Sequence, residues 1–123
     1  MKVLPVHESA FTVLRIFDCR PAESEQFANR LGDFVVAATR LHPGFLSSLV
    51  YLSDDAQKVV ELLQWARAED WEAYGKSEDG RRAAELEIGR RRSIQFLEMV
   101  RAIGLPSPSE SGMRRGLDVP DAP

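Results

Sequence analysis

The 123 residues are 44% hydrophobic and 28% charged, which is ordinary material for one globular domain. A net charge of -3, with both signs mixed along the chain, excludes the one-signed basic stripe of a nucleic-acid surface. The single cysteine, Cys19, cannot close an internal disulfide and offers no metal-ligand spacing; no apolar run nears the ~18 residues of a membrane span, and the first residues lack the apolar block of a signal peptide. The expectation is a cytoplasmic protein with no nucleic-acid or membrane partner and no metal.

Residues 1–9, with Pro5 and a polar end at Glu8 and Ser9, read as a leader, and the domain is placed at 10–104. Over residues 11–18, Phe11, Val13, Arg15 and Phe17 share one face and Thr12, Leu14 and Ile16 the other, an apolar strand with one charge set into it. A guanidinium on such a face lies at an edge, pairs with a carboxylate or binds an anionic ligand. Pro21 followed by Glu23 and Glu25 opens a helix, since proline presets φ and carboxylates suit the positive end of the dipole. Phe27, Leu31, Phe34, Val35, Ala38 and Leu41 recur at helical spacing, so one apolar face runs to His42-Pro43-Gly44, where proline ends the helix. His42 then serves as a partner for the C-terminal dipole.

Residues 45–53 alternate, with Phe45, Ser47, Leu49 and Tyr51 opposed to Leu46, Ser48, Val50 and Leu52. The polar residues 53–57 are a hairpin turn into a second strand over 58–65. Both strands are apolar on both faces, so the sheet needs two covers. Helices supply one; a second copy of the sheet, packed face to face in a homodimer, is the economical source of the other. At Trp65 the strand hands over to a helix opened by Glu69 and Asp70 and carrying Trp71 and Tyr74 inward. Gly75 and Gly80 frame a break, and a second helical piece is expected over residues 81–92. Residues 93–103 fit either period; a strand is chosen because it completes a β-α-β-β-α-β array. The proline-, serine- and glycine-rich residues 105–123 read as a flexible tail.

Neither histidine has a ligand-spaced partner, no serine sits on an elbow, and no glycine cluster follows a strand. The basic residues Arg81, Arg82 and Arg90 to Arg92 are surrounded by carboxylates and have no interleaved aromatics, which describes a solvated helix face. Attention falls on the corner of Glu61, Leu63, Gln64, Trp65, Trp71 and Tyr74. The two indoles either fill a core or line a pocket for a flat apolar ligand. Glu61, two residues along from Leu63 on the same strand face, either accepts a proton from a phenol or activated carbon, or pairs with Arg15 across the sheet.

The element order and three strings, Leu41-His42-Pro43-Gly44-Phe45-Leu46, the hairpin at Asp54-Asp55, and Val59-Val60-Glu61-Leu62-Leu63-Gln64-Trp65 running on to Trp71, resemble the antibiotic biosynthesis monooxygenase family over residues 10–103. The resemblance implies an α+β fold, ferredoxin-like with an antiparallel sheet, paired as a dimeric α+β barrel. It also implies oxidation of a phenolic, polyketide-type aromatic by molecular oxygen, with no metal or flavin cofactor: the phenol is deprotonated, its anion passes an electron to oxygen, and the radicals recombine at carbon. Trp65 matches the family's pocket tryptophan. Glu61 stands where those oxygenases have asparagine, Trp71 where some have tyrosine, and a further arginine falls near Glu85. The haem-degrading branch needs a histidine between Trp65 and Arg92, and there is none. The resulting assignment makes Glu61 and Trp65 catalytic and gives Arg15, Leu63, Trp71 and Tyr74 to substrate binding. Alternatives are a non-oxidative polyketide cyclase or isomerase, and a non-catalytic dimeric binding module.

Overall fold

A computed structural model describes residues 9–101, 103 and 104; the proposed leader, save Ser9, and the proposed tail lie outside the described residues. The chain divides into two compact units, and His7–Glu98 holds all the described helices and strands. Their order is β1 (Phe11–Asp18), α1 (Pro21–Ala37), a 3-10 turn (Thr39–Leu41), β2 (Phe45–Leu52), β3 (Lys58–Trp65), α2 (Ala68–Lys76), α3 (Glu78–Leu86) and β4 (Arg92–Leu97). The sheet is antiparallel in the order β2-β3-β1-β4. Each β-α-β crossover leaves a gap one strand wide, which β3 fills in the first and β1 in the second. The strand and helix periods gave this β-α-β-β-α-β order, and the arrangement is the ferredoxin-like α+β fold that the resemblance implied.

Register sorts the side chains. Val13, Arg15 and Phe17 of β1 stand opposite Leu63, Glu61 and Val59 of β3, and these six are buried beneath the helices. Helix α1 sets Phe27 and Leu31 on Phe17 and Val59, with the Phe17 and Phe27 rings edge to face at 5.1 Å. Helix α2 sets Tyr74 on Val13, Leu63 and Trp65. On the reverse face Leu14, Ile16, Val60, Leu62 and Leu49 are half-buried, and no described helix of this unit packs there. Among the described residues no helix is long and apolar enough to cross a membrane.

Five features differ from expectation. The first helix stops at Ala37: Ala38 leaves helical geometry and the chain tightens into the 3-10 turn, which swings Leu41 off the apolar face into solvent. A bulge between Phe45 and Ser47 breaks the alternation of β2, so Phe45 joins Ser48 and Val50 on the helix side, facing Trp65, while Ser47, Leu49 and Tyr51 take the other. The break between α2 and α3 falls at Ser77, inside the frame of Gly75 and Gly80, but the helix that follows starts early. The Ser77 hydroxyl oxygen accepts from the Gly80 amide at 3.0 Å, capping α3 three residues before the expected start. Helix α3 ends at Leu86, so Arg90 and Arg91 are loop residues and Arg92 begins β4. The final strand ends at Leu97, well short of residue 103.

Gly44 fixes the corner between β2 and α2. Its φ is +86°, and a Cβ there would collide with the Asp70 side chain. Its carbonyl accepts from the Ala66 amide at 2.7 Å, tying the start of β2 to the end of β3 where α2 departs.

Candidate active site

Above the sheet face that carries α1 and α2 lies a cavity of about 200 Å³, with α3 and the start of β4 along its far side. Its walls are mostly apolar or aromatic: Leu31, Phe34 and Val35 from α1, Leu63 from β3, Trp71 and Tyr74 from α2, and Ile94 from β4. Two fused aromatic rings match such a volume and lining.

The four charged groups of the cavity come from β1, β3, β4 and the residue that caps α3. Arg15 of β1 donates from Nε and Nη2 to Glu61 Oε1 of β3, at 3.0 and 2.7 Å, across the register pair Arg15–Glu61. The same Nη2 lies 2.7 Å from Glu87 Oε2, which is charge-paired but lacks a well-aligned hydrogen bond. Arg92 at the head of β4 approaches the other Glu87 oxygen at 3.3 Å. The two carboxylates are the most buried members: the Glu61 and Glu87 side chains are 3% and 4% exposed, Arg15 11% and Arg92 39%.

Burial pushes Glu61 above the ordinary carboxylate range; attraction from Arg15 offsets only part of this, and Glu87 adds to the rise. For Arg15 the balance is the other way. Burial disfavours its charge, but Glu61 and Glu87 together outweigh burial and hold the guanidinium above its usual value. Burial also raises the Tyr74 phenol, against the Thr39 hydroxyl 2.8 Å away, with Glu61 adding to the rise.

Five of the six assigned side chains, Arg15, Glu61, Leu63, Trp71 and Tyr74, meet at the cavity wall. Trp65 does not line it. Fully buried, it stacks inside the core against Phe45, Trp71 and Tyr74 at ring distances of 5.5, 6.1 and 5.2 Å. Its indole Nε1 has no hydrogen-bond partner among the described residues. Glu61 is ion-paired with Arg15, one of the two alternatives, and its side chain also lines the cavity. Sequence reasoning missed Glu87 and Arg92. Glu85, where the resemblance placed an arginine, is exposed, whereas Glu87, the residue that caps the C-terminus of α3, turns inward. A carboxylate at the negative end of a helix dipole is unfavourable, and that anomaly was the available signal. His42 bonds Asp79 in the first turn of α3 at 2.9 Å and meets the Tyr74 ring edge-on, so it braces the wall. Among the described residues no group of three or more His, Cys, Asp or Glu side chains is placed to hold a metal.

A family model described as Antibiotic biosynthesis monooxygenase matches residues 10–86, from the first strand to the end of α3. The chain belongs to this family. Tetracenomycin-F1 monooxygenase of Streptomyces glaucescens is 30% identical over 63 residues, 51% of this chain and 56% of that protein, so the chain spans about half the length of this curated relative. Among solved structures, SnoaB, a cofactor-independent oxygenase from Streptomyces nogalater, superposes with a TM-score of 0.62 at 15% identity, over 77% of this chain and 97% of that one. A protein from Mycobacterium tuberculosis superposes with a TM-score of 0.64 at 17% identity, over 78% of this chain and 100% of that one. At these identities the superpositions show a shared fold. Within the antibiotic biosynthesis monooxygenase fold, the matched segment carries Arg15, Glu61, Trp65, Trp71 and Tyr74 but ends before Glu87 and Arg92.

Proposed function

We propose that this protein is a cofactor-independent monooxygenase that oxidises a small phenolic, polyketide-type aromatic with molecular oxygen. The observation that carries this reading is Glu61, a carboxylate buried in an aromatic-walled cavity, pushed toward its protonated form and backed by Arg15. A ring stacked beside Trp71 and Tyr74 presents a hydroxyl to Glu61, which takes the proton. Glu61 is then neutral, and the charge of Arg15, no longer matched by Glu61, stabilises the new substrate anion. The charge that would have repelled the anion is therefore consumed in making it.

The electron-rich anion transfers one electron to oxygen, and radical and superoxide combine at a ring carbon as a peroxide anion. Glu61 returns its proton to the distal oxygen, giving the hydroperoxide, and, ionised again, removes the hydrogen from that same carbon as the O–O bond breaks. The departing hydroxide takes up this proton as water and a carbonyl is left, so one oxygen atom enters the product and the other leaves as water. Trp65, buried behind the wall, backs Trp71 and Tyr74 from the core and so holds the aromatic surface against which the ring stacks. Apolar walls exclude water, which would otherwise quench the anion. One relative is a monooxygenase by name, tetracenomycin-F1 monooxygenase, and SnoaB, which shares the fold, is described as a cofactor-independent oxygenase; both support the reading.

The half-buried apolar face of the sheet supports the homodimer, in which a second copy covers Leu14, Ile16, Val60 and Leu62. A lone cysteine suits a reducing, cytoplasmic setting. Oxygen consumption by the purified protein with hydroxylated two- and three-ring arenes, in the presence of chelator, tests the activity. A cyclase or isomerase using the same base would convert its substrate without oxygen, and a binding module would only quench tryptophan fluorescence.

A further inference from the structure

Arg15 is asked to balance two buried carboxylates. Glu61 from β3 and Glu87 from the end of α3 both approach the same Nη2, each at 2.7 Å. A one-to-one pair would give Glu61 the whole guanidinium; here Glu87 competes for it. Among the described residues Glu87 has one further cationic partner, Arg92, at the longer distance of 3.3 Å and partly in solvent. Of the remaining wall, Tyr74 of α2 is the titratable group facing this cluster, and α1 contributes Leu31, Phe34 and Val35.

We propose that Glu87 is a positioning residue for the base: by sharing Arg15 it leaves Glu61 incompletely compensated, and Arg92 controls how much of Arg15 it takes. The inference rests on the proposed role of Glu61, and it assigns this chain two functional residues beyond the segment matched to the family. A purely structural account is the competitor, in which the four-membered chain Glu61–Arg15–Glu87–Arg92 only fastens β4 and the end of α3 to the sheet. The two differ in direction. If Glu87 sets the base, removing its charge returns Arg15 to Glu61 and makes Glu61 easier to ionise. Removing Arg92 pushes Glu87 further onto Arg15 and makes Glu61 harder to ionise.

The test is carboxyl-carbon NMR of the full chain labelled at glutamate side chains, with Glu61 assigned through Glu61→Gln. The Glu61 titration midpoint is expected at lower pH in Glu87→Gln and at higher pH in Arg92→Gln, and the acidic limb of any kcat/KM profile should follow it. A fastening role moves thermal stability and leaves the midpoint where it was; an unmoved midpoint, or shifts of the opposite sign, overturns the proposal. Should Glu87→Gln fail to fold, the partly exposed Arg92→Gln decides alone, and a midpoint that does not rise overturns it. No turnover is needed. Absence of oxygen uptake alongside the expected shifts therefore rejects the oxygenase and keeps the assignment of Glu87, while uptake with an unmoved midpoint does the reverse.

Discussion

At the scale of single residues, the chemistry depends on a carboxylate that burial disfavours and an arginine that only partly compensates it. Replacing Glu61 with Gln removes the proton acceptor but keeps the shape, so turnover is expected to fall by about 10²-fold or more while ring binding, followed by tryptophan quenching, changes little. Stability carries a second signature. In the folded chain Glu61 holds its proton above the ordinary carboxylate value of 4.5, so its contribution is fully present below that pH and is lost as pH rises through the raised folded value. Urea melts of wild type and Glu61→Gln should therefore show the difference, wild type minus variant, declining as pH rises above 4.5 and then levelling. A difference that grows with pH would contradict the burial account. Arg15→Met strands two buried carboxylates at once and should cost about 3–5 kcal/mol by the same melts. The Arg15–Glu61 pair was legible in the sequence because both residues interrupt apolar strand faces at positions that antiparallel pairing brings together. Glu87 was not, because its inward turn depends on where α3 ends.

At the scale of elements, Gly44 holds the corner where α2 leaves β3: its carbonyl accepts from the Ala66 amide, and its lack of a Cβ admits the Asp70 side chain. Gly44→Ala places a Cβ against Asp70 on a backbone of positive φ, and a loss of about 1–3 kcal/mol is expected in thermal or urea unfolding. An unchanged midpoint would mean that the corner yields at no cost. Periods and breakers made β1, α1 and the β2–β3 hairpin readable, since each carries a strong pattern closed by Pro43-Gly44 or by the polar residues 53–57. Three features escaped. The bulge of β2 inserts a residue that strict alternation does not foresee. Ser77 was overlooked as a cap, although a serine before Glu78 and Asp79 is an N-terminal signal. Strand β4 is exposed along its whole length, so no buried face writes a period into it.

At the scale of the whole molecule, a sheet covered by helices on one face leaves Leu14, Ile16, Val60 and Leu62 for another cover. Light scattering at micromolar concentration is expected to give about twice the chain mass, and Leu62→Glu, which sets a charge in the middle of that face, about once. A wild-type monomer would contradict the face-to-face pairing. Fold class was readable at this scale because element order alone admits few closures, whereas cavity volume and wall composition follow from helix angles that no local pattern encodes. The central claim is that Glu61 starts an oxygenation in this cavity, and oxygen-electrode traces with 1-naphthol- and anthrone-type phenols, in chelator, test it most directly. The account predicts uptake of one oxygen molecule per product carbonyl formed, abolished in Glu61→Gln. Uptake that persists undiminished in that variant, or no uptake by a wild-type protein whose tryptophan fluorescence those rings quench, would contradict it.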